Sequence, residues 1–257
     1  MCYTYIGDYM IKGMPTLIEF NLYENIDFAK KNNIDFIELN MNLPYCFNLK
    51  ENELLKYNYN FTMHISEELN IYELNDHLRE SYLNEIERQI NIGISNNISK
   101  YTIHLNQGIY FTINSDKTYL NEIFISNFKK SLNKSLTRIN NIATKKNIVI
   151  NFENTKFNDF VMIAIEEIIK YDNLGFTLDI GHNEKDKNKF FNYLLTNAYL
   201  NKIRHVHMHD YNGNSDHLPI SSGIIDFKKY CNILKKNYVV LEIKESKELL
   251  ECIKNLD

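Results

Sequence analysis

The chain has 257 residues, of which 44% are hydrophobic, and its formal net charge is −4. This composition supplies enough apolar residues for a full core, and it shows no concentrated basic segment of the kind that binds duplex DNA. The four cysteines are scattered without a C-x-x-C pair, and neither a signal peptide nor an apolar run of 18 residues is present. We therefore expect a reduced, cytoplasmic protein without a disulfide framework, a thiolate zinc site or a membrane span.

Eight short apolar segments alternate with helical stretches along the chain. The predicted strands are Tyr3–Ile6, Ile34–Leu39, Tyr59–Ile65, Lys100–Leu105, Ile148–Glu153, Gly175–Asp179, Ile203–His209 and Tyr238–Ile243. The predicted helices include Leu78–Ile94 and a long one, Tyr119–Lys146, whose apolar residues recur every three or four positions. This alternation predicts an α/β fold, the (β/α)8 TIM barrel.

An open, doubly wound sheet is the alternative architecture. Such a sheet normally has a glycine-rich turn after its first strand, and Ile6-Gly7-Asp8 is not a turn of that kind. No linker rich in proline, glycine or serine divides the chain, so we expect residues 1–257 to form a single domain.

The two faces of the predicted strands differ in polarity. In the strand Gly175–Asp179, Phe176 and Leu178 lie on one face, while Thr177 and Asp179 lie on the other. The apolar face is expected beneath covering helices, and the other face becomes polar towards the carboxyl end of the strand. Because active sites of TIM barrels lie at the carboxyl ends of the strands, we expect a polar site there.

Seven of the eight predicted strands carry a ligand-type residue near the carboxyl end. In chain order these residues are Glu38, His64, His104, Glu153, Asp179, His207 and Glu242, with His182 and His217 in adjoining loops. Each residue alone has a structural interpretation, such as an edge charge or a hydrogen bond to a neighbouring strand. Together they predict a site for one or more metal ions.

The densest part of this pattern reads IRHVHMHDYNGNSDHLPISSGIIDF. It begins as a strand that places His205, His207 and His209 on one face. A loop with Asp216 and His217 follows. Three imidazoles on one strand face make a poor core and a good set of metal ligands.

Two sets of ligands differ in chemistry. The first combines three carboxylates with one imidazole: Glu153, Asp179, His207 and Glu242. Such a set suits a divalent ion such as Mn²⁺, Mg²⁺ or Co²⁺, with positions left open for substrate oxygens. The second set consists of imidazoles only: His64, His104, His182 and His217. Nitrogen ligands suit additional ions of the Zn²⁺ type, so one metal is predicted and two or three are allowed.

The chain resembles the xylose isomerase-like TIM-barrel superfamily, which includes sugar and sugar-phosphate isomerases and epimerases of carbohydrate metabolism. The superfamily also includes the endonuclease IV group, known as AP endonuclease family 2. The resemblance runs from about Tyr59 to Glu242, while residues 1–30 match poorly. It rests on the segments FTMHIS, YTIHLNQG, IVINFENT, FTLDIGH, VHMHDYNGNSDHLPISSGIIDF and VVLEIK, which occur in the right order at predicted strand ends.

The epimerase branch implies one divalent metal ion bound by the residues that match Glu153, Asp179, His207 and Glu242. The two glutamates flank the substrate in that branch. One removes a proton next to a carbonyl, the metal stabilises the enediolate, and the other glutamate returns a proton. The resemblance thus implies an isomerase or epimerase that acts on a small sugar or sugar phosphate.

Three residues are expected to contact that substrate: His182, Glu38 and Lys244. His182 matches a substrate-contacting histidine of the epimerase branch, and Lys244 is a candidate for a substrate phosphate. Arg79 is another such candidate, although a surface ion pair on its helix is the more common use. The arginine that the branch usually has six residues after the His207 match is Gly213 here, so the sugar stays undetermined. Relatives are often dimers or tetramers, and a homo-oligomer is left open.

The endonuclease IV branch implies an alternative, a phosphodiesterase with two or three metal ions of the zinc type. In that branch nine ligands hold three zinc ions, and eight of the nine positions are filled here. The ninth, an aspartate two residues before the His217 match, is Ser215, with Asp216 displaced by one. The net negative charge argues against duplex DNA, so a small phosphodiester is the expected substrate of this alternative. A barrel that only binds a metal-chelated ligand is a third hypothesis.

Overall fold

The structure is a computed structural model that describes residues 10–256. Within this range the strands are β1 (Ile11–Pro15), β2 (Phe36–Asn40), β3 (Asn60–His64), β4 (Lys100–Leu105), β5 (Tyr110–Ile113), β6 (Asp116–Tyr119), β7 (Val149–Asn154), β8 (Leu174–Asp179), β9 (Ile203–Met208) and β10 (Tyr238–Leu241). All of them except β5 and β6 form a closed barrel of eight parallel strands. The barrel closes because β1 pairs with both β2 and β10. The predicted single-domain α/β TIM barrel is therefore confirmed.

The helices of the described residues are α1 (Leu22–Lys31), α2 (Pro44–Phe47), α3 (Asp76–Ser95), α4 (Leu120–Ile123), α5 (Ile125–Lys146), α6 (Asp159–Ile168), α7 (Ile180–Lys185), α8 (Lys189–Thr196), α9 (Cys231–Leu234) and α10 (Ser246–Leu256). The predicted long helix Tyr119–Lys146 is divided, because β6 ends at Tyr119 and the backbone leaves the helical conformation at Phe124. The apolar stripe of α5 is buried, as its spacing predicts. No helix in the described part of the chain is long and apolar enough to cross a membrane.

The first barrel strand differs from the prediction. The segment Tyr3–Ile6 lies outside the described residues, and β1 is formed by Ile11–Pro15 instead. Glycine and proline are weak strand formers, so a strand with Gly13 and Pro15 gives little signal. Gly13 is nevertheless required, because a Cβ there would lie 2.2 Å from Cζ of Phe36 on β2.

The barrel interior is polar towards its carboxyl end, whereas the surface beneath the helices is apolar. Thr102 on β4 and Thr177 on β8 point inward, and their hydroxyl oxygens lie 3.0 Å apart over the intervening strand β7. Phe176 and Leu178 alternate with Thr177 and are fully buried. This alternation directs the polar face of each strand towards the barrel axis and its carboxyl end.

Arg79 on α3 is fully buried. Its guanidinium donates to the Ser131 hydroxyl on α5 (2.9 Å) and to the carbonyl of Glu73 (3.0 Å), and it pairs with Asp76 (2.5 Å). The ion pair expected for Arg79 on its helix is therefore present, but the guanidinium is buried and also links α3 to α5. This position also removes Arg79 from the candidates for binding a substrate phosphate.

Candidate metal centre

The predicted ligands converge at the carboxyl end of the barrel. They lie at or beside the ends of six neighbouring strands: His64 on β3, His104 on β4, Glu153 on β7, Asp179 on β8, His207 on β9, and Glu242 directly after β10. The register places Glu153 opposite His104 and Asp179 opposite His207. Parallel pairing thus brings together residues that are far apart in the sequence.

Glu153 is at the centre of this arrangement and is 1% exposed. Its Oε2 atom lies 3.1 Å from Nε2 of His64 and 3.5 Å from Nε2 of His104. The same oxygen lies 3.3 Å from Nδ1 of His207. One carboxylate oxygen therefore faces three imidazoles.

Two groups of potential ligands share Glu153. In each group, the ligand atoms lie within 4.8 Å of one another. The members of the two groups are His64, His104 and Glu153, and Glu153, Asp179, His207 and Glu242. In the second group, Glu242 Oε2 lies 3.4 Å from His207 Nδ1, the atom that Glu153 also contacts. This second group is the set of three carboxylates and one imidazole that the sequence distinguishes.

His182, His209 and His217 form a further group with ligand atoms within 4.8 Å. His182 lies in the first turn of α7, where Asp179 caps the helix by accepting the backbone N–H of His182 (2.6 Å). His182 Nδ1 then lies 3.6 Å from Asp179 Oδ2. His209 is one of the three imidazoles that the sequence places on one strand face as possible ligands, but it belongs to neither of the two ligand sets that the sequence distinguishes.

Asp210 fixes the loop that carries His217. Its carboxylate accepts four backbone N–H groups, those of Tyr211, Ser221, Gly223 and Ile225, at 2.8 to 3.2 Å. Its backbone also exchanges two hydrogen bonds with Leu218. Asp216 is turned to Lys185, whose Nζ lies 2.8 Å from its carboxylate. The loop is thus held by Asp210, and Asp216 is engaged outside the histidine group.

Glu38 lies inside the barrel, below the other carboxylates, and is 4% exposed. Its Oε1 lies 2.7 Å from Nε2 of His207, and its Oε2 lies 2.9 Å from Nε2 of His205. The Thr62 hydroxyl donates to Oε2 at 3.4 Å. Glu38 therefore contacts the His207 ring on the nitrogen opposite to the one that faces Glu153. Lys244, the other substrate residue expected beside His182, is exposed beyond β10.

The charges of the centre stabilise one another. Burial alone would raise the pKa of Glu153, but the imidazoles of His207 and His104 hold it well below its usual range. Burial likewise opposes a charge on His207, whereas Glu153, Glu38 and Glu242 raise its pKa well above the usual value. Without a metal ion, imidazolium groups thus provide the positive charge that the buried carboxylates need.

Five buried polar atoms of the candidate ligands have no hydrogen-bond partner among the described residues. They are the Nδ1 atoms of His182, His207 and His217, the Nε2 atom of His207 and the Oε2 atom of Glu242. A buried polar atom without a partner costs about 1–3 kcal/mol, and imidazole nitrogens and carboxylate oxygens are ligands of divalent transition metals. The residues present therefore fit a divalent metal ion.

Two cavities open at the mouth of the barrel. One of about 450 Å³ is lined by Gln107, Thr155, Lys156, His182, Lys185 and Asp186. The other, of about 400 Å³, reaches His104 and is bordered by Glu67, Glu68 and Glu73. A cavity of similar size, about 440 Å³, lies among Asp35, Asn60 and Lys100 near the amino ends of the strands and contains none of the potential ligands. The accessible side of the centre is therefore the mouth of the barrel.

Comparison with known proteins agrees with this geometry. A family model described as xylose isomerase-like TIM barrel matches residues 26–256. The uncharacterized protein MJ1614 of Methanocaldococcus jannaschii is 37% identical over 145 residues. That match covers 52% of this chain and 56% of MJ1614, so the chain spans about half the length of this curated relative.

Solved structures with the same fold include two with epimerase names. A D-tagatose 3-epimerase-like protein has a TM-score of 0.72 at 23% identity, covering 96% of this chain and 98% of the other. The 3-keto-D-glucoside 4-epimerase YcjR of E. coli has a TM-score of 0.75 at 17% identity, covering 96% and 97%. At these identities the likeness shows the fold.

Proposed function

The chain belongs to the xylose isomerase-like TIM-barrel family, and we propose that it is a divalent-metal-dependent isomerase or epimerase of a sugar or sugar phosphate. One observation carries the proposal. Glu153 and Glu242 both face Nδ1 of His207, at 3.3 and 3.4 Å, within a group of four potential ligands at the mouth of the barrel. Two carboxylates so placed can act on a substrate bound between them.

Each residue of the group has a role in this proposal. Asp179, His207 and the two glutamates would hold the metal ion, which supplies positive charge that stabilises negative charge developing on substrate oxygens. Glu153 is ionised at neutral pH because its pKa is held low, so it can accept a proton from the carbon next to a carbonyl. Burial alone would raise the pKa of Glu242, but His207 lowers it, so this carboxylate would first take up a proton from water and then give that proton to the substrate carbon. Its side chain is 23% exposed and can exchange protons with water, and Glu153 would release the proton it accepted to water after turnover. His182 lines the larger mouth cavity and would orient the substrate.

The substrate class follows from the mouth of the barrel and from the fold relatives. A cavity of about 450 Å³ accommodates a small sugar, and its lining of lysine, threonine and glutamine side chains offers hydrogen bonds to hydroxyl or phosphate oxygens. The names of the two epimerases of similar fold support a sugar as the substrate. Mn²⁺, Mg²⁺ and Co²⁺ suit the three carboxylates and one imidazole.

Solvent-deuterium incorporation tests this function. The protein would be loaded with Mn²⁺, Mg²⁺ or Co²⁺ and incubated in D₂O with a panel of ketoses and their phosphates, and deuterium next to the carbonyl would be measured by mass spectrometry. The Glu153→Gln variant is expected to lose exchange by a factor of about 10² to 10⁴. Asp116→Asn, on the exposed hairpin, is the matched control and should exchange like the wild type. Unimpaired exchange in Glu153→Gln would exclude Glu153 as a proton carrier.

A phosphodiesterase with more than one metal ion is the second candidate. It is favoured by Glu153, which the two groups share and which could bridge two ions. It is disfavoured by Asp216, which pairs with Lys185 instead of joining His182 and His217. The double variant His64→Ala/His104→Ala separates the two functions, because it should leave an epimerase partly active and abolish hydrolysis that needs several ions.

A further inference from the structure

We propose that His209 is a positioning residue that holds Asp179 and the His217 loop in place, and that it is not a metal ligand. This inference rests on the metal binding in the proposed function and is independent of which substrate is turned over. Ligation of a metal ion by His209 is the alternative, because a ring nitrogen of His209 lies within 4.8 Å of ligand atoms of His182 and His217. Proximity alone would make it the third ligand of that histidine group.

Both ring nitrogens of His209 are already used. The backbone N–H of His217 donates to Nδ1 at 2.8 Å, and the carbonyl oxygen of Asp210 lies farther from Nδ1, at 3.3 Å. Because a backbone N–H can only donate and its contact is the shorter one, Nδ1 presents its lone pair, and the hydrogen of the neutral ring is then on Nε2. Nε2 lies 3.2 Å from the carboxylate of Asp179 and donates to it. A metal bond at either nitrogen would displace one of these two hydrogen bonds.

The other two histidines of the group differ from His209 in their hydrogen bonding. The Nδ1 atoms of His182 and His217 are buried and have no hydrogen-bond partner among the described residues. They are available to a metal ion, whereas His209 is engaged on both sides.

Packing locks the ring in this orientation. His209 is fully buried, and its ring is stacked on that of His217 with centroids 4.2 Å apart. A Cβ at Gly181, the second residue of α7, would lie 1.9 Å from Cε1 of His209, so only glycine leaves room for the ring. The ring therefore fills a space that the start of α7 leaves open and keeps Nε2 on Asp179.

His209 therefore orients the carboxylate of Asp179. Asp179 accepts the backbone N–H of His182 and Nε2–H of His209. Through its Nδ1, the same ring holds the backbone of His217. One side chain thus sets the relative positions of β8, α7 and the loop after β9. Substitution of a residue that hydrogen-bonds to a metal ligand typically weakens metal binding by a factor of 10 to 100.

Metal content and affinity distinguish positioning from ligation. We would compare His209→Gln, which keeps a donor for Asp179, with His209→Phe, which keeps a ring but no donor. His77→Gln on the exposed surface of α3 controls for the loss of a histidine. Elemental analysis should give the wild-type number of ions per chain in all variants. Titration of the metal-depleted protein with Mn²⁺ should show affinity weaker by about tenfold or more in His209→Phe and near wild type in His209→Gln. Loss of one ion per chain in both His209 variants, or unchanged affinity in His209→Phe, would overturn the proposal.

The hydrogen-bond pattern can be tested without metal. In the full chain labelled with ¹⁵N-histidine and treated with chelator, the His209 signal, assigned by its absence in His209→Gln, should show a protonated Nε2 and an unprotonated Nδ1. A proton on Nδ1 would contradict the proposal even if His209→Phe fails to fold. If the wild type binds no divalent ion, the proposed function fails and the metal role of His209 with it, while this spectrum still decides whether the ring holds Asp179 and His217.

Discussion

The metal-free protein is expected to lose stability as the pH rises from about 6.5 to about 9, and His64 is a main reason. Burial alone would lower the pKa of His64, but its contact with Glu153, 3.1 Å between Nε2 and Oε2, raises the pKa from 6.5 to about 9. A histidine whose pKa is raised by folding stabilises the protein fully below the pKa of the unfolded chain. This contribution disappears as the pH rises through the pKa of the folded state.

The size of the effect follows from the two pKa values. A tenfold change in proton affinity corresponds to about 1.4 kcal/mol, so the interval from 6.5 to about 9 sets an upper limit of about 3.5 kcal/mol for His64. Within this interval, the free energy of unfolding should fall by at most about 1.4 kcal/mol per pH unit on account of this residue. His182, His207 and His209 also have raised pKa values and add to this slope. His205 and His217 have lowered pKa values and oppose it, so the difference in slope between wild type and a His64 variant is the informative quantity.

Urea unfolding of chelator-treated protein at several pH values between about 6.5 and 9 measures this difference. His64→Gln should show a shallower decline of the free energy of unfolding than the wild type. His77→Gln, which removes an exposed histidine of α3, should follow the wild-type slope. Equal slopes in wild type and His64→Gln would refute the assignment of a stabilising His64–Glu153 pair.

Three further substitutions probe other parts of the account. Glu38→Gln should weaken Mn²⁺ binding by about tenfold, because Nε2 of His207 loses its carboxylate partner. Calorimetric titration measures the Mn²⁺ affinity, and an unchanged affinity would show that Glu38 does not orient the His207 ring. Arg79→Met should lower the free energy of unfolding by about 1–3 kcal/mol for each buried partner left unpaired, such as the Ser131 hydroxyl, and urea unfolding measures this loss. Its Mn²⁺ affinity should stay at the wild-type level, and a loss of affinity without a loss of stability would contradict a structural role. Lys156→Met should lower kcat/KM for a sugar phosphate more than for the free sugar, because Lys156 lines the mouth cavity; an equal effect on both would argue against a phosphate at this position.

The convergence of the candidate ligands at the strand ends could be predicted because two simple rules fix their positions. Side chains alternate along a strand, and the carboxyl ends of parallel barrel strands meet at one opening. Glu153 and Asp179 follow both rules, and each lies where its strand ends. These rules do not predict, however, which residue each side chain contacts. His205 and His209 share a predicted strand face, yet His205 contacts Glu38 inside the barrel and His209 contacts Asp179 at its rim.

Elements whose local signal is weak could not be predicted. The hairpin of β5 and β6 turns at Asn114 and Ser115, which have positive φ values of 50° and 71°. A turn with two positive φ values usually contains glycine, and Asn-Ser gives no such indication. The hairpin is therefore absent from the predicted elements, and only its last residue, Tyr119, falls within the predicted helix Tyr119–Lys146. The strand Ile11–Pro15 was missed for the same kind of reason, since tertiary packing around Gly13 outweighs its weak strand propensity.

The central claim is tested most directly by the metal content of protein purified without added metal or chelator. The account predicts close to one Mn, Mg or Co ion per chain, lost in an Asp179→Asn variant. A wild-type protein without any divalent ion would contradict the metal-dependent isomerase. Two or three zinc ions per chain would also contradict it and would favour hydrolysis of a phosphodiester.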